Sequence, residues 1–169
     1  MAPLNEPTVS ALVATRSGRH ESPRACDASH PFKELVVLVQ PYLYFDGRCE
    51  EALEFYREAL DAKVEMMMRF KENPTPSTTP PGSEEKIMHC SFKIGNSSLM
   101  ASDGMCGGAA KFAGVTLTIG CDSTAEAERL FAALRAGGEV PMPLNKTFFA
   151  ERFGMVADRF GVSWMILTK

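Results

Sequence analysis

The sequence has no CxxC cysteine pair, no run of Lys or Arg longer than two, and no apolar stretch longer than Leu35–Val39. Each absence closes a class of function. The five cysteines, Cys26, Cys49, Cys90, Cys106 and Cys121, are odd in number and scattered. That argues against a disulfide framework and for a reducing compartment, so a cytoplasmic protein is expected. A formal charge of −3 without a basic cluster argues against nucleic acid or an anionic membrane as the main partner. A bilayer-spanning helix needs about 20 apolar residues, far more than Leu35–Val39 supplies. Ala11–Ala14 is too short for the core of a secretory signal. Histidine is scarce too: of the three, His20 and His30 fall near the N-terminus, and only His89 lies where a folding pattern exists.

What is present divides the chain in two. Residues 1–34 hold Pro3, Pro7, Pro23 and Pro31 among small polar residues, with almost no large apolar side chain after Val13. Such a segment cannot bury enough surface to offset its ordering entropy, so a disordered tail is expected. A transit peptide, suggested by Arg16, Arg19 and Arg24, and a translation start near Leu35 are the alternatives. Glu6, Glu21, Asp27 and Glu34 depart from the acid-poor pattern of transit peptides. Residues 35–169 are expected to form one domain, since a chain that is 45% apolar and 23% charged can bury a core without disulfides or a structural metal.

Within that domain one pattern occurs twice, in modules expected at 36–103 and 112–168. Glu51-Ala52, Phe55-Tyr56 and Met66 recur as Glu126-Ala127, Leu130-Phe131 and Met142, about 75 residues further on. Each module reads as a strand, an amphipathic helix and three more strands. The first has strands over 36–45, 64–70, 86–94 and 97–102, with Gly95-Asn96 as a tight turn. Its helix follows Asp46-Gly47 and buries Ala52, Phe55, Tyr56, Ala59 and Leu60. The four prolines within 71–83 predict an irregular loop, and 103–108 reads as a linker. The second module has strands over 112–120, 139–143, 153–157 and 162–168, the last two joined by a turn at Asp158-Arg159-Phe160-Gly161. Its helix opens on a capping box of Ser123 and Glu126, buries Ala127, Leu130, Phe131 and Leu134, and closes at Gly137-Gly138. The doubled unit predicts an α+β fold of two βαβββ modules around a shared ligand-binding cleft.

Pro41-Tyr42-Leu43-Tyr44-Phe45-Asp46-Gly47, followed by Cys49-Glu50-Glu51-Ala52-Leu53-Glu54-Phe55-Tyr56, resembles the opening of PhnB-like proteins. These belong to the vicinal-oxygen-chelate superfamily, with glyoxalase I and the bleomycin- and fosfomycin-resistance proteins. Met88-His89-Cys90, residues 99–103, Met142-Pro143-Leu144, residues 147–150, Phe153-Gly154 and residues 158–164 agree as well, so the likeness covers 37–169. The resemblance implies a cupped mixed sheet of the glyoxalase type and a homodimer. Some relatives carry a ubiquinone methyltransferase label, yet no glycine-rich strand-to-helix loop suited to S-adenosylmethionine stands in this sequence. Metal-using members draw four ligands of His, Gln and Glu from the first, fourth, fifth and eighth strands. Their positions here hold Gln40, Met100, Gly114 and Met165, of which Gln40 alone suits a hard or borderline divalent cation. Neither a metal nor another cofactor is expected.

Strand alternation sets Gln40, Tyr42, Tyr44, Ser98, Met100, Thr116, Thr118, Ser163 and Met165 apart from the helix-packed face. They are the expected inner wall for a small, partly apolar ligand. Phe149, beside Phe148 and near Phe153, is expected over the cleft mouth, where aromatic faces stack on planar or apolar groups. Asp103 is expected either to orient a polar ligand or to cap the Gly104 turn. His89, the available general base, shares a strand face with Ile87, Ser91 and Lys93, opposite Met88, Cys90 and Phe92; its role is catalytic or structural. Cys106 has no adjacent cation and reads as an inert thiol. Ten methionines read as core, dimer interface or an adaptable pocket wall. Trp164 is expected to pack under a helix. Whether the protein is an enzyme stays open. Metal-free ligand binding stands beside a metal-dependent lyase or dioxygenase, metal-free acid–base catalysis by His89, and assembly with protein partners alone.

Overall fold

The computed structural model describes residues 37–75, 79, 81–104 and 110–168. The expectations for the N-terminal 34 residues, for Cys106 and for most of the linker lie outside these residues. The first module comprises β1 (Tyr42–Tyr44), α1 (Cys49–Leu60), β2 (Lys63–Arg69), β3 (Ile87–Ile94) and β4 (Ser97–Ser102). The second comprises β5 (Leu117–Cys121), α2 (Thr124–Leu134), β6 (Glu139–Asn145), β7 (Phe153–Ala157) and β8 (Ser163–Thr168). Each folds as a four-stranded mixed sheet, in the orders β1-β4-β3-β2 and β5-β8-β7-β6. The first strand of each module runs parallel to the last, and the remaining pairs are antiparallel. The helix supplies the crossover that the parallel pair needs.

The repeat holds down to single rows of residues. Met66, Ser91, Met100 and Tyr42 stand side by side across β2, β3, β4 and β1. Met142, Met155, Met165 and Thr118 form the corresponding row across β6, β7, β8 and β5. Leu43, Cys90, Phe92, Leu99 and Ala101 alternate with the first row and are buried, as are Val156, Trp164 and Ile166 in the second sheet.

Both helices form where the apolar stripe predicts. In α1, Ala52, Leu53, Phe55, Tyr56, Ala59 and Leu60 are buried, and the chain leaves the helix through Asp61 at φ 54. Ser123 Oγ caps α2 by accepting from the Glu126 amide at 3.2 Å. The return arm differs from the expected box: the Glu126 carboxylate accepts from the Asp122 amide at 3.3 Å, one residue earlier.

The two helices meet, and one hydrophobic core runs through both modules. Phe45, Phe55 and Tyr56 from the first enclose Phe160 from the second, with ring centroids 5.7 to 6.2 Å apart. The buried Asp158 carboxylate binds this junction. Its Oδ2 accepts from the Tyr56 hydroxyl at 2.7 Å and from Trp164 Nε1 at 2.8 Å. Its Oδ1 accepts from the amides of Phe160 and Val162. Among the described residues no helix is long and apolar enough to cross a membrane.

Three expected strands are corrected. β1 begins at Tyr42 rather than residue 36, because Pro41 has no N–H for the ladder and only its carbonyl pairs, with the Met100 amide. Val37, Leu38 and Val39 are left exposed. β5 begins at Leu117 rather than residue 112, since Gly114 at φ +76 cannot continue an extended strand. In β3 the register steps from Met68–His89 to Arg69–Ile87, a bulge that adds one residue at Met88. Ile87 therefore turns into the core and leaves the face it was expected to share with His89, while Met88 turns out of it.

Candidate functional site

The open face of the first sheet carries an aromatic run. Tyr42 reaches across β4 toward β3, where its hydroxyl lies 2.9 Å from His89 Nδ1. The two rings stack with centroids 5.6 Å apart, and Tyr44 follows Tyr42 at 4.9 Å. Burial pushes the Tyr42 phenol above its ordinary pKa, and a hydrogen bond from Ser102 acts in the opposite direction. Beside this run opens a cleft of about 990 Å³. Tyr42, Tyr44, Phe70, Met88 and Phe112 give it aromatic and thioether walls, and Asp46, Ser102 and Lys111 give it polar points. Such walls suit a flat, polarizable ligand held by a few hydrogen bonds.

Of the expected wall, Tyr42 and Tyr44 line this cleft, as does Asp103. Gln40 and Met100 stand along the same module outside the lining, as does Ser98. Thr118 and Met165 pair on the second sheet, where Thr116 also donates to Ser163 at 3.2 Å. Phe149 meets Phe148 and Phe153 edge to face in a cluster of its own on the second module. Asp103 lines the cleft only with a spent carboxylate. Its oxygens accept from the Cys49 amide at 2.7 Å and the Ile87 amide at 2.8 Å, so it ties the start of α1 to β3. The Gly104 amide, which Asp103 was expected to serve, goes to Ser102 Oγ.

Phe70, Met88, Ser102, Lys111 and Phe112 were not singled out from sequence. Met88 depends on the bulge. Phe70 and Phe112 fall at the ends of expected strands, but the structure ends β2 at Arg69 and begins β5 at Leu117, so the alternation that would give them a face does not reach them. Cys49 and Cys90 bring their sulfurs within 3.8 Å in the core. The Cys49 thiol is pushed up by sharing its proton with Cys90 and by burial, and the same hydrogen bond pulls Cys90 down.

The metal positions implied by the superfamily do not fit a hard or borderline ion. Gln40 precedes β1, Met100 and Met165 offer thioethers, and Gly114 lies in a turn without a side chain. Among the described residues no three His, Cys, Asp or Glu side chains converge.

Comparison with known proteins agrees with this architecture. Residues 38–167 match the family model described as 3-demethylubiquinone-9 3-methyltransferase. Protein YjdN of Escherichia coli is 35% identical over 76% of this chain and 92% of its own length. The crystal structure of PA1353 from Pseudomonas aeruginosa is 41% identical, with a TM-score of 0.71 over 79% of this chain and 98% of its own. The PhnB protein of Bacillus cereus, which carries the same methyltransferase description, is 27% identical with a TM-score of 0.68, over 79% of this chain and all of its own. The fosfomycin resistance protein FosX of Mesorhizobium loti, at 13% identity and a TM-score of 0.55 over 79% of this chain and 91% of its own, shares the fold alone.

Proposed function

The chain belongs to the PhnB-like family, of glyoxalase fold, and from that premise we propose that it binds a small, partly apolar molecule without the superfamily's metal ion. The observation that carries the reading is the cleft of about 990 Å³ walled by Tyr42, Tyr44, Phe70 and Phe112. Its size suits a drug-sized ligand, and aromatic walls with few polar points favour planar apolar groups. The donor set at the metal positions supports the metal-free part. Methyl transfer, named for the Bacillus cereus relative, is left out because the sequence offers no phosphate- or nucleoside-cradling glycine loop. The Tyr42–His89 hydrogen bond favours a second reading, metal-free proton chemistry at His89.

The same reading takes the protein as a cytoplasmic homodimer. Exposed Leu38, Val39 and Val115 are apolar surface that a second copy would cover, and sedimentation at micromolar concentration would report it. A thermal-shift panel of aromatic compounds tests the ligand. A compound at a hundred times its Kd adds about 2.7 kcal/mol of stability, and Tyr44→Ala together with Phe112→Ala abolishes that gain. A panel that never raises the melting temperature defeats the binding reading. One equivalent of nickel, zinc, manganese or iron in untagged protein defeats its metal-free part.

A further inference from the structure

We propose that Tyr42 and His89 act as a proton-accepting pair that recognises a phenol and binds it as the phenolate. This rests on the cleft being the ligand site. Tyr42 lines the cleft, and its hydroxyl meets His89 Nδ1 at 2.9 Å with the two rings stacked. When the imidazole is neutral and Nδ1 accepts the Tyr42 proton, the Tyr42 oxygen, which also accepts from Ser102, keeps one lone pair for a further donor. A ligand hydroxyl on that oxygen completes a relay: ligand O–H to Tyr42, Tyr42 O–H to His89.

The proton count balances within the site. The ligand O–H bond breaks with its electron pair left on the ligand oxygen, Tyr42 takes that proton, and Tyr42's own proton passes to Nδ1. The result is a phenolate, a neutral tyrosine and an imidazolium, with no oxidant or other reactant consumed. The negative charge settles on the ligand because burial disfavours the Tyr42 anion.

Acidity selects the ligand class. An aliphatic alcohol is far too weak an acid to protonate imidazole, and a carboxylic acid arrives already ionised. An electron-poor phenol has an acidity close to that of imidazole and a ring that suits the aromatic walls of the cleft, among them Tyr44 and Phe112. Around His89 stand Met68 from β2 and Ser91 on its own strand; Lys93, further along β3, is paired with Glu65 at 2.6 Å. Asp46 and Lys111 are the charged groups of the cleft wall, besides the buried Asp103.

The probe is 4-nitrophenol, coloured as phenolate and nearly colourless as phenol, with 4-nitroanisole as the analogue that has no proton to give. At a pH one unit below the probe's own pKa, the bound probe is expected to show the phenolate band, its ionised-to-neutral ratio raised at least about tenfold over free probe. His89→Gln is expected to retain the melting temperature and 4-nitroanisole binding while losing the band. If wild-type protein binds 4-nitrophenol as the neutral phenol, or if the band survives in His89→Gln, the pair is overturned and the cleft reading stands. If neither probe binds, the pair is overturned, and the aromatic panel decides the cleft reading separately.

Discussion

Asp158 has the most demanding position of any single side chain. It is 3% exposed and accepts hydrogen bonds from Tyr56, Trp164 and two backbone amides. Asp158→Ala leaves four buried donors without their acceptor, and a loss of about 3 kcal/mol is expected in urea unfolding. Tyr56 makes a pH prediction. Burial first, then the Asp158 charge and hydrogen bond, hold its phenol well above the ordinary value of 10.0. A group raised in the folded state contributes stability that is complete below its unfolded pKa and lost as pH rises beyond it. Stability should therefore fall above pH 10, and Tyr56→Phe should flatten that alkaline limb, as equilibrium unfolding at stepped pH would show. From sequence, Asp158 is legible as a turn residue and Trp164 as buried. Their shared bond with Tyr56 is not, because it links residues far apart in the chain and no local period encodes it.

For the elements, helices were legible and strand ends were not. The apolar stripe of α1 and the Ser123 cap of α2 follow from spacing alone, since i, i+3 and i+4 positions face one way wherever the helix sits. Ser123→Ala should cost about 1 kcal/mol, measured by the same unfolding assay. Strand faces rest on an unbroken period of two, and the extra residue at Met88 reverses Ile87 without any sequence cue. Gly138 lies at the other extreme of tolerance. A Cβ there would run into the carbonyl oxygen of Ala157 and lie 2.9 Å from the Asp158 backbone. Gly138→Ala should cost about 3 kcal/mol or more, well beyond the cap variant, because backbone cannot step aside as a side-chain end can.

At the scale of the molecule, the repeat was readable and the cleft was not. Paired Glu-Ala and aromatic positions announce two copies of one unit, and both copies fold to one strand order. The cleft depends on residues 110–113 and Val115 lining it beside Tyr42 and Tyr44, a placement set by packing rather than by pattern. Because Phe45, Phe55, Tyr56, Phe160 and Trp164 share one core, neither half closes its own interior. Calorimetry should give a single unfolding transition. A chain cut within 105–109 should yield halves that fold only when mixed; either half unfolding cooperatively by itself would contradict the shared core.

The matching rows across the two sheets carry a last consequence. Where the first copy sets Tyr42 on its outer strand, the second has Thr118, and the position of His89 falls to Phe153. The two halves thus share a scaffold, while among the described residues only the first carries this ionisable couple. Titration should saturate at one equivalent of phenol per polypeptide, with no second, weaker phase.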